Sequence, residues 1–415
     1  MTLLQDAAEA AVNGRVHGAR SLGLRALHDA LVNRDHLQEL AARLQLTELM
    51  LSLGVGGEAA MHARKAVESL VPDTPPLLRV KSLVNWSYAA SFVGDGSNAL
   101  RASIEARACA DAAGLPDLQA IASNYFGLAN MWDGRWETAK EAFSHSQACE
   151  PNNARPLFNS AINEVLRTTV DVTLEGARST GHTAEWTISE ALSRPLPPML
   201  GVVMVSSGAV AAFLRSIVAS WRGDEVGAMD SLREARDHLV RGGDTCRWLK
   251  PYFPWAECEL AFARKNYADA AAAATKVMFE ADEQGSEQAH WIGRILRVRC
   301  LHVMGDHDRA SHDWRYLWVR SMRRQSSAGA PPVVQATLAD GDAALPGWSS
   351  SFNLTVAETS VVKFLLQGHR PADIAAFRST SVGTVRSQLA SVFSKTGFKS
   401  QAQLVTGVLS REKKR

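Results

Sequence analysis

The chain has 415 residues, 46% of them hydrophobic and 21% charged, which gives enough apolar mass for about two to three domains with buried cores. That balance excludes global disorder, a collagen-like fibre and an acidic tail protein. Net charge is only +2, yet residues 351–415 carry ten Lys/Arg against three acids, a local +7 on a body of −5, so a polyanion partner is expected for the C-terminal segment alone.

The five cysteines (Cys109, Cys149, Cys246, Cys258, Cys300) are odd in number and none stands in a CxxC pair. Buried reduced thiols in a cytoplasmic protein are expected rather than a disulfide framework. The start, MTLLQDAAEAAVNGRVHGAR, lacks the basic region, apolar run and cleavage site of a secretory signal. The longest uncharged stretch, Pro195 to Leu214, begins with three prolines and holds Ser206 and Ser207. It reads as a buried helix rather than a membrane span.

Up to about residue 320, Ala, Leu, Glu and Arg recur at helical spacing, with Gly, Asp and Pro between the segments. Small residues also recur at long range. Ala59, Ala99 and Ala139 are spaced by 40, and Ala228, Ala270 and Ala310 by 42 and 40. Each follows a short Gly- or Asp-containing turn, except Ala139, which follows Arg135-Trp-Glu-Thr. The wider gap between Ala139 and Ala228 leaves room for one degenerate repeat near residues 155–195. In the stretch Tyr125 to Asn153, Gly127 and Ala139 permit close helix crossing, Trp136 and Phe143 fill the space between helices, and Pro151 closes the second helix. This stretch resembles a tetratricopeptide repeat, with Ser146 where that family prefers Ala. About seven helix pairs stacked as a solenoid with a period near 40 are expected over residues 1–320.

Residues 321–351 change texture, with paired prolines and clustered Gly, Ser and Asp, and read as a linker. From residue 352 onward the pattern predicts four short helices. Thr355 with Glu358 forms a capping box ahead of Val361, Val362 and Leu365. Gly368 ends that helix, and Pro371 opens a short second one. Ser381 caps a third whose Val385, Leu389, Val392 and Phe393 make an apolar stripe, and Gly397 stops it. Ser400 opens the last, through Leu404, Val405 and Leu409. A short break between the second and third helices gives a helix-turn-helix arrangement.

These residues resemble the LuxR/FixJ-type DNA-binding domain at Leu354, Thr355, Glu358, Val361, Gly368, Ile374, Ala375, Ser381, Thr384, Val385, Leu389, Phe393, Lys395, Gly397 and Leu404. The resemblance implies that Ser381–Lys395 is the recognition helix and that the last helix is a dimerisation surface. It places Arg386, Ser387 and Ala390 toward the bases of double-stranded DNA and Thr384 toward phosphate, with Lys395 a further DNA-binding candidate. Of these, Arg386 alone offers a bidentate contact to guanine. Arg378 and Thr380 stand where the family has aliphatic turn residues, Thr396 replaces a Leu and Gln401 an Arg.

The tetratricopeptide resemblance also implies that the first helix of each pair lines the concave face. Counted from the anchor alanines, Glu48, Lys81, Phe92 and His302 fall there, together with the ligand-binding candidates Tyr88, Asn124, Trp132, Phe213, Trp221, Tyr252, Trp255, Glu259 and Arg299. Aromatic walls with sparse polar groups suit a peptide or a small amphipathic molecule. Any single aromatic in that set is more readily inter-repeat core, while the set as a group reads as groove.

Other constellations carry less. Gly176 to Thr183 imitates a phosphate loop but has His182 where a Lys would neutralise phosphate. His302, His307 and His312 lie five apart and do not share a helical face as metal ligands would. No catalytic signature, cofactor motif or receiver-type acidic cluster stands out, so a non-enzyme without a cofactor or metal is expected. The reading is an all-α transcription regulator. A tetratricopeptide-like domain senses a peptide or small-molecule signal, in the manner of quorum sensing, and controls operator binding by a homodimer, with no membrane involvement. The alternative is an adaptor whose repeats dock a protein that masks or recruits the DNA-binding domain.

Overall fold

The computed structural model describes residues 2–153, 155–175, 187–190, 202–306, 309–310, 313, 349–366, 371, 374–375, 380–398, 404 and 408, though not the side chains of 171–175, 202–207 and 245. Most of the expected linker, the Gly176–Thr183 loop, His307 and His312 lie outside the described residues. The described residues contain no strand, and no helix among them is long and apolar enough to cross a membrane. The chain divides into two compact units, Met1–Val172 with Ala177–Met304, and Thr173–Gly176 with Gly305–Arg415.

The first unit is a helical repeat. Helices α1 (Leu3–Val12) and α2 (Val16–Asn33) are followed by α3 (His36–Ser52) and α4 (Gly56–Glu68), then α5 (Pro76–Phe92) and α6 (Gly96–Ala113). Next come α7 (Pro116–Trp132), α8 (Trp136–Cys149) and α9 (Arg155–Glu175). The unit continues with α10 (Val202–Arg222), α11 (Glu225–Gly242), a 3-10 segment (Gly243–Tyr252), α12 (Phe253–Ala263), α13 (Tyr267–Gln284) and α14 (Glu287–Val303). All six anchor alanines are buried, five at 0–1% exposure and Ala310 at 4%. Ala59, Ala99, Ala139, Ala228 and Ala270 each sit near the start of the second helix of a pair, where a larger side chain would hold the helices apart.

Five residues before each anchor the chain turns through the left-handed region. Gly54, Gly94, Gly134, Gly223 and Gly305 serve there, and Lys265, at φ 60, is the exception. Glycine suits the position because it lacks the Cβ that penalises positive φ. The same pair of marks, Gly14 at φ 73 and the buried Ala19, identifies α1–α2 as a repeat that the anchor count had not included. Close crossing at Gly127 is borne out, since a Cβ there would run into the Phe143 ring. Trp136 and Phe143 are both buried, as expected of inter-helix filling.

First helices stack on first helices (α3 on α5, α5 on α7, α10 on α12), while each second helix packs on the first helix of the next pair. The stack curls far enough to meet itself. Helix α3 touches the 3-10 segment and α5 touches α14. At this seam the Gln284 side chain occupies the space beside Gly54, while its amide donates at 2.7 Å to the Arg247 carbonyl of the 3-10 segment on its own side.

In the second unit, α15 (Val356–Leu366) and α16 (Val382–Thr396) share a core with Ile374, Ala375, Phe398, Leu404 and Val408. Val361, Val362, Leu365, Val385, Leu389 and Val392 point inward as expected, and Phe393 is half-buried against them. The capping box is formed in both directions, Thr355 N–H to Glu358 Oε2 at 2.7 Å and Glu358 N–H to Thr355 Oγ1 at 3.2 Å. Ser381 Oγ accepts from the Thr384 N–H at 3.0 Å, and Gly397 at φ 74 closes α16. Pro371 and Leu404 are helical, but most of the expected second and fourth helices lies outside the described residues.

Candidate functional site

Because the stack curls, the concave face forms a partly open cavity of about 280 Å³. Tyr88, Asn124, Trp132, Phe213, Tyr252 and Trp255 all line it, with Glu48 and Phe92. One wall is aromatic: Phe213 lies 6.0 Å from Trp255 and 6.3 Å from Tyr252 between ring centres, and Trp248 meets Tyr252 edge-on at 6.1 Å. Tyr88 and Tyr125 meet edge-on at 6.0 Å.

The polar groups come from consecutive first helices. Glu48 (α3) accepts from the Asn85 (α5) amide at 3.4 Å, and Asn159 (α9) donates to the Asn124 (α7) carbonyl at 2.9 Å. Arg155 also lines the cavity. Burial pushes the Glu48 carboxyl up, and the Asn85 hydrogen bond and the charges of Lys81 and Arg155 pull it part of the way back. Burial likewise raises the Tyr88, Tyr125 and Tyr252 phenols, which stay protonated donors at neutral pH. Two buried donors on this lining, Asn124 Nδ2 and Trp255 Nε1, have no hydrogen-bond partner among the described residues. A buried unmade hydrogen bond costs roughly 1–3 kcal/mol, so these two favour a ligand that brings acceptors.

Three expected ligand residues are not part of the cavity. Glu259 and Arg299 are 2% and 5% exposed, and Arg299 Nη2 binds Glu259 Oε2 at 2.9 Å. Trp221 Nε1 donates to that same oxygen at 3.0 Å, and the Arg299 guanidinium covers the Phe262 ring at 4.1 Å. These side chains bond to one another across three successive first helices through the single Glu259 Oε2, so they brace the stack instead of lining the cavity. Among the expected groove residues, His302 is exposed. The cysteines also depart in part from expectation: Cys246, Cys258 and Cys300 are buried, but Cys109 and Cys149 only half-buried.

The lining also includes Asn85, Tyr125, Arg155, Asn159 and Trp248, which the repeat count did not select. Asn85 and Tyr125 share one register position forty residues apart, a signal present in the period. Arg155 and Asn159 sit in the degenerate repeat, and Trp248 sits in the 3-10 segment, where no anchor fixes the register.

In the second unit α16 is two-faced. Thr384, Arg386, Ser387 and Ala390 are exposed on the side opposite its buried stripe. Lys395 is exposed as well, and its ammonium also has partners within the unit. It donates to Glu358 Oε2 at 2.7 Å and to the Asn353 carbonyl at 3.2 Å, which ties α16 to α15.

No protein-family model matches the sequence, and no curated protein matches it. Among solved structures, a tetratricopeptide repeat protein from Parabacteroides merdae is similar at 14% identity, covering 72% of this chain and 97% of that one, with a TM-score of 0.41.

Proposed function

We propose that the protein is a DNA-binding transcription regulator whose helical-repeat unit takes a small molecule in its cavity. The observation that carries this reading is the two-faced α16: an N-capped helix on a small core, in a +7 segment, with Thr384, Arg386, Ser387 and Ala390 outward. An exposed Arg flanked by short side chains suits the major groove, where a guanidinium reads guanine and small neighbours allow close approach. The cavity supports the signal-binding half of the proposal, and its modest volume favours a small molecule over an extended peptide. Homodimeric binding to paired half-sites is part of the same proposal.

The test is selection of bound sequences from random duplex DNA, followed by fluorescence anisotropy with wild type and Arg386→Ala. Selection of a defined site, and its loss in the variant with residual salt-sensitive binding, supports the reading. A wild-type chain that retains no duplex above background at low salt overturns it.

A further inference from the structure

The charges and orphaned donors of the cavity define the head of its ligand, an inference that rests on the cavity being the signal site proposed above. Among the described residues, Glu48 is the one acid on the lining and Arg155 the one base. The Glu48 carboxylate has oxygens that accept up to about four hydrogen bonds, yet one long bond from Asn85 is its only hydrogen bond among the described residues. On the same lining, two first helices along the stack, Asn124 Nδ2 is a donor without an acceptor among the described residues. The cavity therefore offers its ligand both an acceptor and a donor. It also asks for no net charge, since a cation would meet Arg155 and an anion would meet Glu48 in a setting that screens neither. Most of the remaining lining is apolar or aromatic. Phe92, Trp132, Phe213 and Trp255 surround space for a hydrocarbon or aromatic body, and Trp255 Nε1 offers one further donor along it.

We propose that the cavity binds a compact amphiphile whose head has zero net charge and pairs a hydrogen-bond donor with an acceptor, as an amide or a zwitterion does, on an apolar body that packs against Phe213 and Trp255. Glu48 takes the donor and Asn124 supplies the donor to the acceptor. The aromatic wall then contributes affinity by area and the head selects among apolar molecules of equal size.

The experiment uses the full chain and three probes with one body and different heads: 4-phenylbutanamide, 4-phenylbutanoate and 4-phenylbutylamine. Binding is read by calorimetry and by emission of the cavity tryptophans, which these probes do not mask at long excitation wavelengths. The amide is expected to bind at least tenfold more tightly than either charged probe. Asn124→Leu and Glu48→Leu should each weaken the amide about tenfold and narrow its lead over the charged probes, and Arg386→Ala should leave it unchanged. The zwitterion 2-amino-5-phenylpentanoate separates the two head types: equal or tighter binding than the amide assigns an amino-acid head, weaker binding an amide.

A charged probe binding most tightly, or an amide affinity indifferent to both cavity variants, would overturn the proposal. Because Leu at either site could disturb folding, Asn124→Asp serves as a second variant of nearly equal volume. It exchanges the orphaned donor for a carboxylate, and it should weaken the amide and favour the amine. The functional reading fails separately: an amide that binds as expected while DNA affinity and half-site spacing stay fixed would remove the signalling role and leave the ligand class intact.

Discussion

The Glu358 carboxyl shows how one residue can hold a small domain together. Burial by itself would raise its pKa, but hydrogen bonds from Lys395, Ser391 and Thr355 outweigh that and bring it down to about 2 from an ordinary 4.5. A carboxyl depressed in the folded state adds stability above its unfolded value, and that stability is lost as pH falls through the folded value. The α15–α16 pair should therefore lose roughly 2 kcal/mol between about pH 4.5 and pH 2. Hydrogen exchange in the full chain checks this on peptides from residues 356–396, and Lys395→Met should flatten the acid dependence while lowering protection at neutral pH. The buried pair Glu259–Arg299 follows a different rule. Removing one partner leaves an uncompensated buried charge, whereas removing both leaves apolar packing. Arg299→Met is expected to cost about 3–5 kcal/mol and the Glu259→Leu/Arg299→Met double variant clearly less, measured by urea unfolding.

At the scale of the helix pair, the repeat depends on a turn and a crossing. Lys265 is the one described turn position of this series where a non-glycine residue takes positive φ, and it is exposed, so no packing offsets the strain. Lys265→Gly should stabilise the α12–α13 pair by about 0.5–1 kcal/mol, read as a rise in thermal midpoint. Gly127→Ala should do the opposite, by about 1–3 kcal/mol, because the added Cβ meets the Phe143 ring, and Phe143→Leu should recover part of the loss. These features were legible in the sequence because they are local and periodic: a small residue forty positions from the next, a glycine five positions before it, a cap ahead of an apolar stripe. Glu259 and Arg299 were equally periodic, standing at one register position forty residues apart. They were misread because a groove count places a residue on a face without saying which neighbour neutralises it. The Lys395–Glu358 ion pair was missed for the same reason, since its acceptor lies in another helix 37 positions away.

The curl of the first unit is a property of the whole stack, and no single turn encodes it. Small rotations between successive pairs accumulate until α3 reaches the 3-10 segment and α5 reaches α14, and only then does a concave face become a cavity. That is why the aromatic lining was foreseen and the meeting of the two ends was not. At the seam Gln284, anchored on the Arg247 carbonyl of its own neighbouring segment, packs beside the Gly54 turn. Ligand exchange through the seam requires local opening, and the Gln284 packing is the contact that opening breaks. Gln284→Ala removes the hydrogen bond to Arg247 and the packing at Gly54 without touching the cavity lining. It should raise the dissociation rate of 4-phenylbutanamide about tenfold with a smaller change in association rate, and it should speed hydrogen exchange at residues 50–56 and 244–252 while α7–α8 exchange stays as in wild type. An unchanged dissociation rate with faster exchange at the seam would mean that the ligand leaves between other helices. In that case the stack can breathe without uncurling.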